Sequence, residues 1–130
     1  TALHIAAYEG HDEVVKTLIN AIADEERRRE YVEAKNNDGE TALQKASYRG
    51  YELVTETLTN SIADEERRRA YVDMKDNYGN TALHIAAWNG HHDVVGALIN
   101  AIADEVLAMH VYIFFRNDHI LCCAVICAVS

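Results

Sequence analysis

The apolar and polar positions of this chain trace two short helical patterns that restart at a fixed interval. Leu3, Ala6 and Ala7 put small and apolar groups on one face of a short segment that runs up to Gly10. Val14, Val15, Leu18, Ile19 and Ile22 come next, at the i, i+3, i+4, i+7 spacing of an amphipathic helix. The same succession returns 40 residues later, because Thr-Ala-Leu opens at Thr1, at Thr41 and at Thr81. At that offset residues 1–40 and 41–80 agree at 23 of 40 positions, and residues 1–25 and 81–105 at 19 of 25, which sets the units at 1–40, 41–80 and a truncated 81–105. A period of this size marks small units that bury their apolar faces against one another rather than around one centre.

The ends of the patterns have helix punctuation. Thr1, Thr41 and Thr81 can each accept a free amide of the first turn through the side-chain oxygen. Gly10, Gly50 and Gly90 stop the first helix, since a left-handed C′ position costs glycine least. The repeating unit is therefore a pair of antiparallel helices joined by a short turn. After the second helix come the charged segments ADEERRREY (Ala23–Tyr31) and ADEERRRAY (Ala63–Tyr71). Their acids precede their bases at helical spacing, Asp24 to Arg28 and Glu25 to Arg29, an order that supports a helix. The second helix could run on through them, or Asp24 and Asp64 could cap a separate short helix. The apolar stripe ends at Ile22 and resumes out of phase at Tyr31 and Val32, which favours the separate helix. The DEERRR core of each copy sets three acids beside three arginines and offers no net field, so these segments read as solvated helices with internally paired charges rather than as docking motifs.

The stretches TALHIAAYEGHDEVVKTLI and TALHIAAWNGHHDVVGALI resemble the ankyrin repeat, whose helix-opening signature is T-P-L-H-x-A. TALQKASYRGYELVTETLT is a looser copy, and the resemblance extends over residues 1–105. It implies a hairpin at residues 36–41 and another at residues 76–81. Two departures stand out: alanine (Ala2, Ala42, Ala82) replaces the signature proline, and the unit is longer than the family's ~33 residues, the excess falling in the charged segments. The fold expected is all-α, an ankyrin-type helical solenoid with short β-hairpin or turn connections and an extra short helix after the second helix of units one and two. The resemblance also implies a concave face built from hairpin tips and the exposed ends of the first helices. On this sequence the tips are Asn37, Asp38 and Glu40, then Asn77, Tyr78 and Asn80. The helix ends are Tyr8 and Glu9, Tyr48 and Arg49, Trp88 and Asn89, with Lys45 where the other units have isoleucine.

These positions differ between units of the same chain while the Thr, Leu, Ala and Gly positions stay fixed. The candidate partner-binding set is therefore Asn37, Asp38, Glu40, Lys45, Tyr48, Arg49, Asn77, Tyr78, Asn80, Trp88 and Asn89. Tyr8, Tyr48 and Trp88 recur at one position and should line one side of a stack, as aromatic residues with a polar tip do at binding surfaces. The alternative is that each ring packs between neighbouring hairpins and only stabilises the stack. His4 and His84 stand at the signature histidine, where the imidazole is expected to bond threonine or backbone groups of the cap. Gln44 at that position suits hydrogen bonding better than catalysis.

Charge and composition narrow the function. The net charge of −9 lies wholly within residues 1–105, a poor match for nucleic acid and a better one for a protein partner with a basic or mixed-charge patch. No serine or cysteine recurs beside a histidine and no glycine-rich phosphate loop occurs, so neither an enzyme nor a cofactor is expected. The repeat region has no cysteine, which points away from a disulfide framework and towards a cytoplasmic or otherwise intracellular setting. After Glu105 the repeat breaks off into a 106–130 tail with two apolar runs, Val106–Phe115 and Ile120–Val129. Each run is short of the ~20 residues a membrane helix needs. The tail could cover the open end of the last unit, or it could begin a membrane tether for the array. His119, Cys122, Cys123 and Cys127 share a helical spacing, but no second pair completes a zinc site, and cysteine in an apolar run is usually a small core residue.

Overall fold

The computed structural model describes residues 1–102, and the tail with its histidine and cysteines lies outside the described residues. Eight helices succeed one another in the described part: α1 (Ala2–Glu9), α2 (Asp12–Asn20), α3 (Glu25–Glu33), α4 (Ala42–Arg49), α5 (Glu52–Asn60), α6 (Glu65–Val72), α7 (Ala82–Trp88) and α8 (His92–Ile102). The threonine caps form as their chemistry dictates. Thr1, Thr41 and Thr81 accept the backbone N–H of His4, Gln44 and His84. Gly10 and Gly50 end α1 and α4 in the left-handed region, at φ 79° and 80°.

The units stack in two layers. In one layer α1 packs on α4 and α4 on α7; in the other α2 packs on α5 and α5 on α8. The small residues Ala6, Ala46 and Ala86 are buried in the first layer, where a larger side chain would hold the helices apart. Leu3, Leu43 and Leu83 are buried beside them, and Val54, Leu58, Val94, Val95 and Leu98 fill the space between the layers. Burying each such side chain contributes roughly 1.5–3 kcal/mol. Val14 departs from the expected stripe, at 47% exposed. Its counterparts Val54 and Val94 are buried because a preceding unit lies against them, and α2 has no such neighbour among the described residues.

Buried polar side chains tie each unit to the next. The His4 ring nitrogens lie 2.6 Å from the Thr1 hydroxyl and 2.9 Å from the Glu40 carbonyl oxygen. Because that carbonyl can only accept, Nε2 carries the proton and Nδ1 accepts from the hydroxyl. Gln44 does the same work in unit two: its Oε1 accepts the Thr41 N–H, and its Nε2 donates to the Met74 and Asn80 carbonyls. The Tyr71 hydroxyl is fully enclosed near Thr41 and the Leu43 carbonyl without closing a hydrogen bond, and burial pushes its pKa up.

The segments expected as hairpins are turns, and no strand occurs among the described residues. The Asn36 N–H donates to the Glu40 carbonyl oxygen, but the Glu40 N–H donates to the Asn36 side chain instead of returning a second rung. Asp76 closes the second turn in the same way, accepting from Tyr78 and Asn80. Side-chain capture of those amides leaves no ladder to extend.

The charged segments form α3 and α6, and their arginines behave differently from the pairing expected of them. Arg28 donates to the Ile22 and Ala23 carbonyls rather than pairing with Asp24. Arg68 donates to the Ile62 carbonyl of its own unit and the Ala101 carbonyl of the next, and Arg69 to that of Ile102. An open helix C-terminus has unpaired carbonyls and partial negative charge, which a guanidinium satisfies better than a solvated carboxylate does. The one ion pair within these two segments joins Arg67 to Asp64 at 3.9 Å.

Candidate partner-binding face

Contacts join the two tips to each other and the first tip to Lys45, which lies with Arg49 over Tyr8. The two turns lie against each other, with the Asn77 N–H donating to the Asp38 carbonyl and the Asn77 side chain to the Asn37 carbonyl. Gly39 has a φ of 75° and lies so close to Asn77 that a side chain there would collide with it. The stacked tips are thus held by backbone and glycine geometry, which leaves the side chains of Asn37, Asp38 and Tyr78 exposed; Tyr78 is 82% exposed.

From the first tip the contacts continue to the helix ends. Glu40 pairs with Lys45 at 2.6 Å and accepts from the Asn36 amide. Lys45 and Arg49 reach over the Tyr8 ring, the guanidinium at 4.8 Å from its centroid, and Arg49 also lies near the Tyr51 ring. Lys45 and Arg49 are thereby fixed as a pair of cations across a half-buried ring, an attraction of about 0.5–1 kcal/mol at such exposed sites. Tyr48 is 53% exposed and Trp88 is 88% exposed. The Asn89 side chain turns back to the Ile85 carbonyl, and Asn80 holds Gln44 through its backbone.

Tyr8, Tyr48 and Trp88 therefore differ despite their common position. Tyr8 is covered by charges from the next unit, whereas unit three has Ile85 and Asn89 at the places of Lys45 and Arg49, and Tyr48 stays open. Position 51 and its counterpart 91 carry a role that the helical pattern alone does not single out. The Tyr51 ring fills the space above Gly10, and the His91 ring fills that above Gly50 while its Nε2 lies 3.0 Å from the Tyr48 carbonyl oxygen. A signal for it is present, since a ring (His11, Tyr51, His91) stands directly after the helix-ending glycine in every unit.

Acids gather on the second-helix layer, where Asp12, Glu13, Glu52 and Asp93 occupy first turns. Burial raises the Asp12 pKa, but the Thr57 hydroxyl at 2.5 Å and Lys16 at 3.0 Å outweigh it and hold the carboxylate lower. Among the described residues no group of histidine, cysteine or carboxylate side chains is arranged to hold a metal ion. No helix among them is long and apolar enough to cross a membrane.

No curated protein matches the chain. A family model described as ankyrin repeats (3 copies) matches residues 3–108. With three capped helix pairs stacked in register over that span, the chain belongs to the ankyrin repeat family.

Proposed function

We infer that this chain works as ankyrin repeats in general do, as a protein–protein interaction module; its described residues form an all-helical array of them. We propose that it is a scaffold or adaptor that binds a protein partner through Asn37, Asp38, Glu40, Lys45, Tyr48, Arg49, Asn77, Tyr78, Asn80, Trp88 and Asn89. The observation that carries this reading is the exposure of Tyr48, Tyr78 and Trp88, three large rings left in solvent beside stacked turns. Rings with a polar edge anchor interfaces because they bury much area and lose little conformational freedom. The excess of acid in residues 1–105 suits a partner with a basic or mixed-charge patch, which would also gain in rate of encounter. On this reading α3 and α6 are an addition to the first two units: Arg28 of α3 binds the end of its own second helix, and α6 joins the second helices of units two and three through Arg68 and Arg69.

The test is a pull-down with the chain, followed by paired titrations of the captured partner and of thermal stability. Trp88→Ala should weaken binding by about 2 kcal/mol or more with a melting temperature close to that of the parent. Leu83→Ala should destabilise by roughly 2–5 kcal/mol through the cavity it leaves, and should lower binding only by depleting folded protein. If Trp88→Ala melts as badly as Leu83→Ala, the row is packing and the reading fails.

A further inference from the structure

Of the three rings at the repeated position, the chain places its own cations on one. Arg49 lies 4.8 Å and Lys45 5.7 Å from the centroid of the Tyr8 ring, both reaching back from unit two to unit one. Glu40 holds Lys45 there with a 2.6 Å ion pair. Tyr48 stands at the same position one unit on, has described units on both sides, and is still 53% exposed. Composition gives the reason. Unit three has Ile85 and Asn89 where unit two has Lys45 and Arg49, and from Asp76 to Ile102 there is no lysine or arginine at all. Trp88 repeats the position once more and is 88% exposed among the described residues. Its indole is the aromatic side chain that attracts a cation best. The charges of the row have the same sense. Lys45 and Arg49 are already engaged by Glu40 and Tyr8, whereas Asp38 on the first tip is exposed and enters no ion pair.

We infer that the partner of this row carries a basic segment with two arginines, whose guanidinium groups take on Tyr48 and Trp88 the place that Arg49 takes on Tyr8. The inference rests on the scaffold reading and gives its partner a chemistry. A guanidinium lies flat on the negative face of a ring while its N–H groups stay free for other acceptors, and it gives up hydration more readily than a lysine ammonium. The spacing follows from the stack. Helix α4 packs on α7, and packed helices lie about 8–10 Å apart. A polyproline II segment has three residues per turn, so it presents residues i and i+3 on one face about 9 Å apart. The segment is therefore expected to read Arg-x-x-Arg in an extended stretch. Lys45 and Arg49 repel any further cation and so keep the segment off Tyr8. The excess of acid in residues 1–105 favours its approach. An apolar segment using the rings as a hydrophobic platform is the rival occupant.

The test is an NMR titration of the isotope-labelled full chain with short capped peptides, read at the Tyr48 amide and the Trp88 indole. One peptide has two arginines three residues apart in a proline-rich frame. In matched peptides both arginines become citrulline, which keeps the shape without the charge, or leucine, or the second arginine moves one residue closer. The first peptide should shift both signals and bind more tightly than the citrulline and leucine peptides, by about two- to fivefold per ring. Tyr48→Leu keeps an apolar side chain and should weaken the arginine peptide by a similar factor while sparing the leucine peptide. Ile85→Lys with Asn89→Arg rebuilds over Tyr48 the pair that covers Tyr8, using residues that unit two already has at those places. Circular dichroism checks its fold, and arginine-peptide binding should fall several-fold. A leucine or closer-spaced peptide that binds as well as the first overturns the inference. So does arginine binding that survives both Tyr48→Leu and the double variant, since charge alone would then account for it. Absence of shifts with every peptide also overturns it. None of these outcomes decides the scaffold reading, which stands or falls on the pull-down and the Trp88→Ala titrations.

Discussion

Replacing Gly50 by alanine tests whether glycine serves the helix end alone or also the contact between units. Two costs are separable. The first is local: at φ 80° a Cβ is held in the left-handed region, about 1–2 kcal/mol unfavourable, offset by about 0.4–1 kcal/mol from the stiffer unfolded chain. The second crosses the boundary. The new Cβ would lie 2.6 Å from His91 Nδ1, so the ring must move and give up its bond to the Tyr48 carbonyl, about 0.5–1.5 kcal/mol. In the His91→Ala background the obstructing atoms are gone and only the local cost remains. Urea unfolding of the parent, Gly50→Ala, His91→Ala and the double variant therefore forms a double-mutant cycle. The expected coupling is about 0.5–1.5 kcal/mol, with Gly50→Ala less harmful once His91 is removed. Coupling within the ~0.3–0.5 kcal/mol scatter of independent sites would refute the boundary role and leave Gly50 as a helix stop alone.

Three further outcomes are expected. Burial lowers the His4 pKa below its ordinary 6.5, the Lys45 charge acts in the same direction, and the bond to the Glu40 carbonyl opposes them. The unfolded chain therefore binds this proton more readily than the folded one. The His4 contribution is complete above the unfolded value and lost as pH falls through the lower folded value. His4→Gln, which imports the residue of unit two, should flatten the fall in melting temperature between roughly pH 7 and pH 5, and an unchanged slope would clear His4 of it. Arg68→Ala should destabilise by about 1–3 kcal/mol through the loss of its bonds to the Ile62 and Ala101 carbonyls, whereas Arg67→Ala should change the denaturation midpoint very little. Ala86→Glu puts a carboxylate into a fully buried helix contact and should cost several kcal/mol, read as loss of the cooperative melt; an unchanged melt would mean the α4–α7 contact is not closed.

The helices, their caps and their burial are legible in the sequence because each arises from local chemistry. A threonine ahead of an apolar segment, a glycine after it and a helical apolar period each have one economical structural answer. The turns at 36–41 and 76–81 stand where the sequence puts hairpins, since their length and glycine suit either form. Asn36 and Asp76 decide the matter by capturing an amide with a side chain, a choice that sequence spacing does not encode. The arginines of α3 and α6 escape a sequence reading for a similar reason. Spacing along one helix shows which acids could meet them, but the free carbonyls that attract them belong to other helices, one of them in the next unit. Val14 has the period of a core residue, which is right for the position in general but wrong for a unit with nothing described on that side.

The candidate row shows what a repeated position leaves undetermined. Tyr8 and Tyr48 are the same residue in the same place on the same kind of helix, yet one is half-covered and the other open. The difference comes from the following unit. Lys45 and Arg49 offer charge to the face of the Tyr8 ring, and Glu40 holds Lys45 there with a 2.6 Å ion pair. Ile85 and Asn89, standing where Lys45 and Arg49 would recur, have no charge to offer, and Asn89 is turned back onto its own helix. In such a stack each unit decides how much of its predecessor's ring remains available. The variable positions are then coupled in pairs across each boundary, while the threonines, glycines and buried amides that hold the boundary together stay the same. Open and covered rings can alternate along one array without any change in the framework, and that gives a fixed fold a means of setting where a partner can take hold.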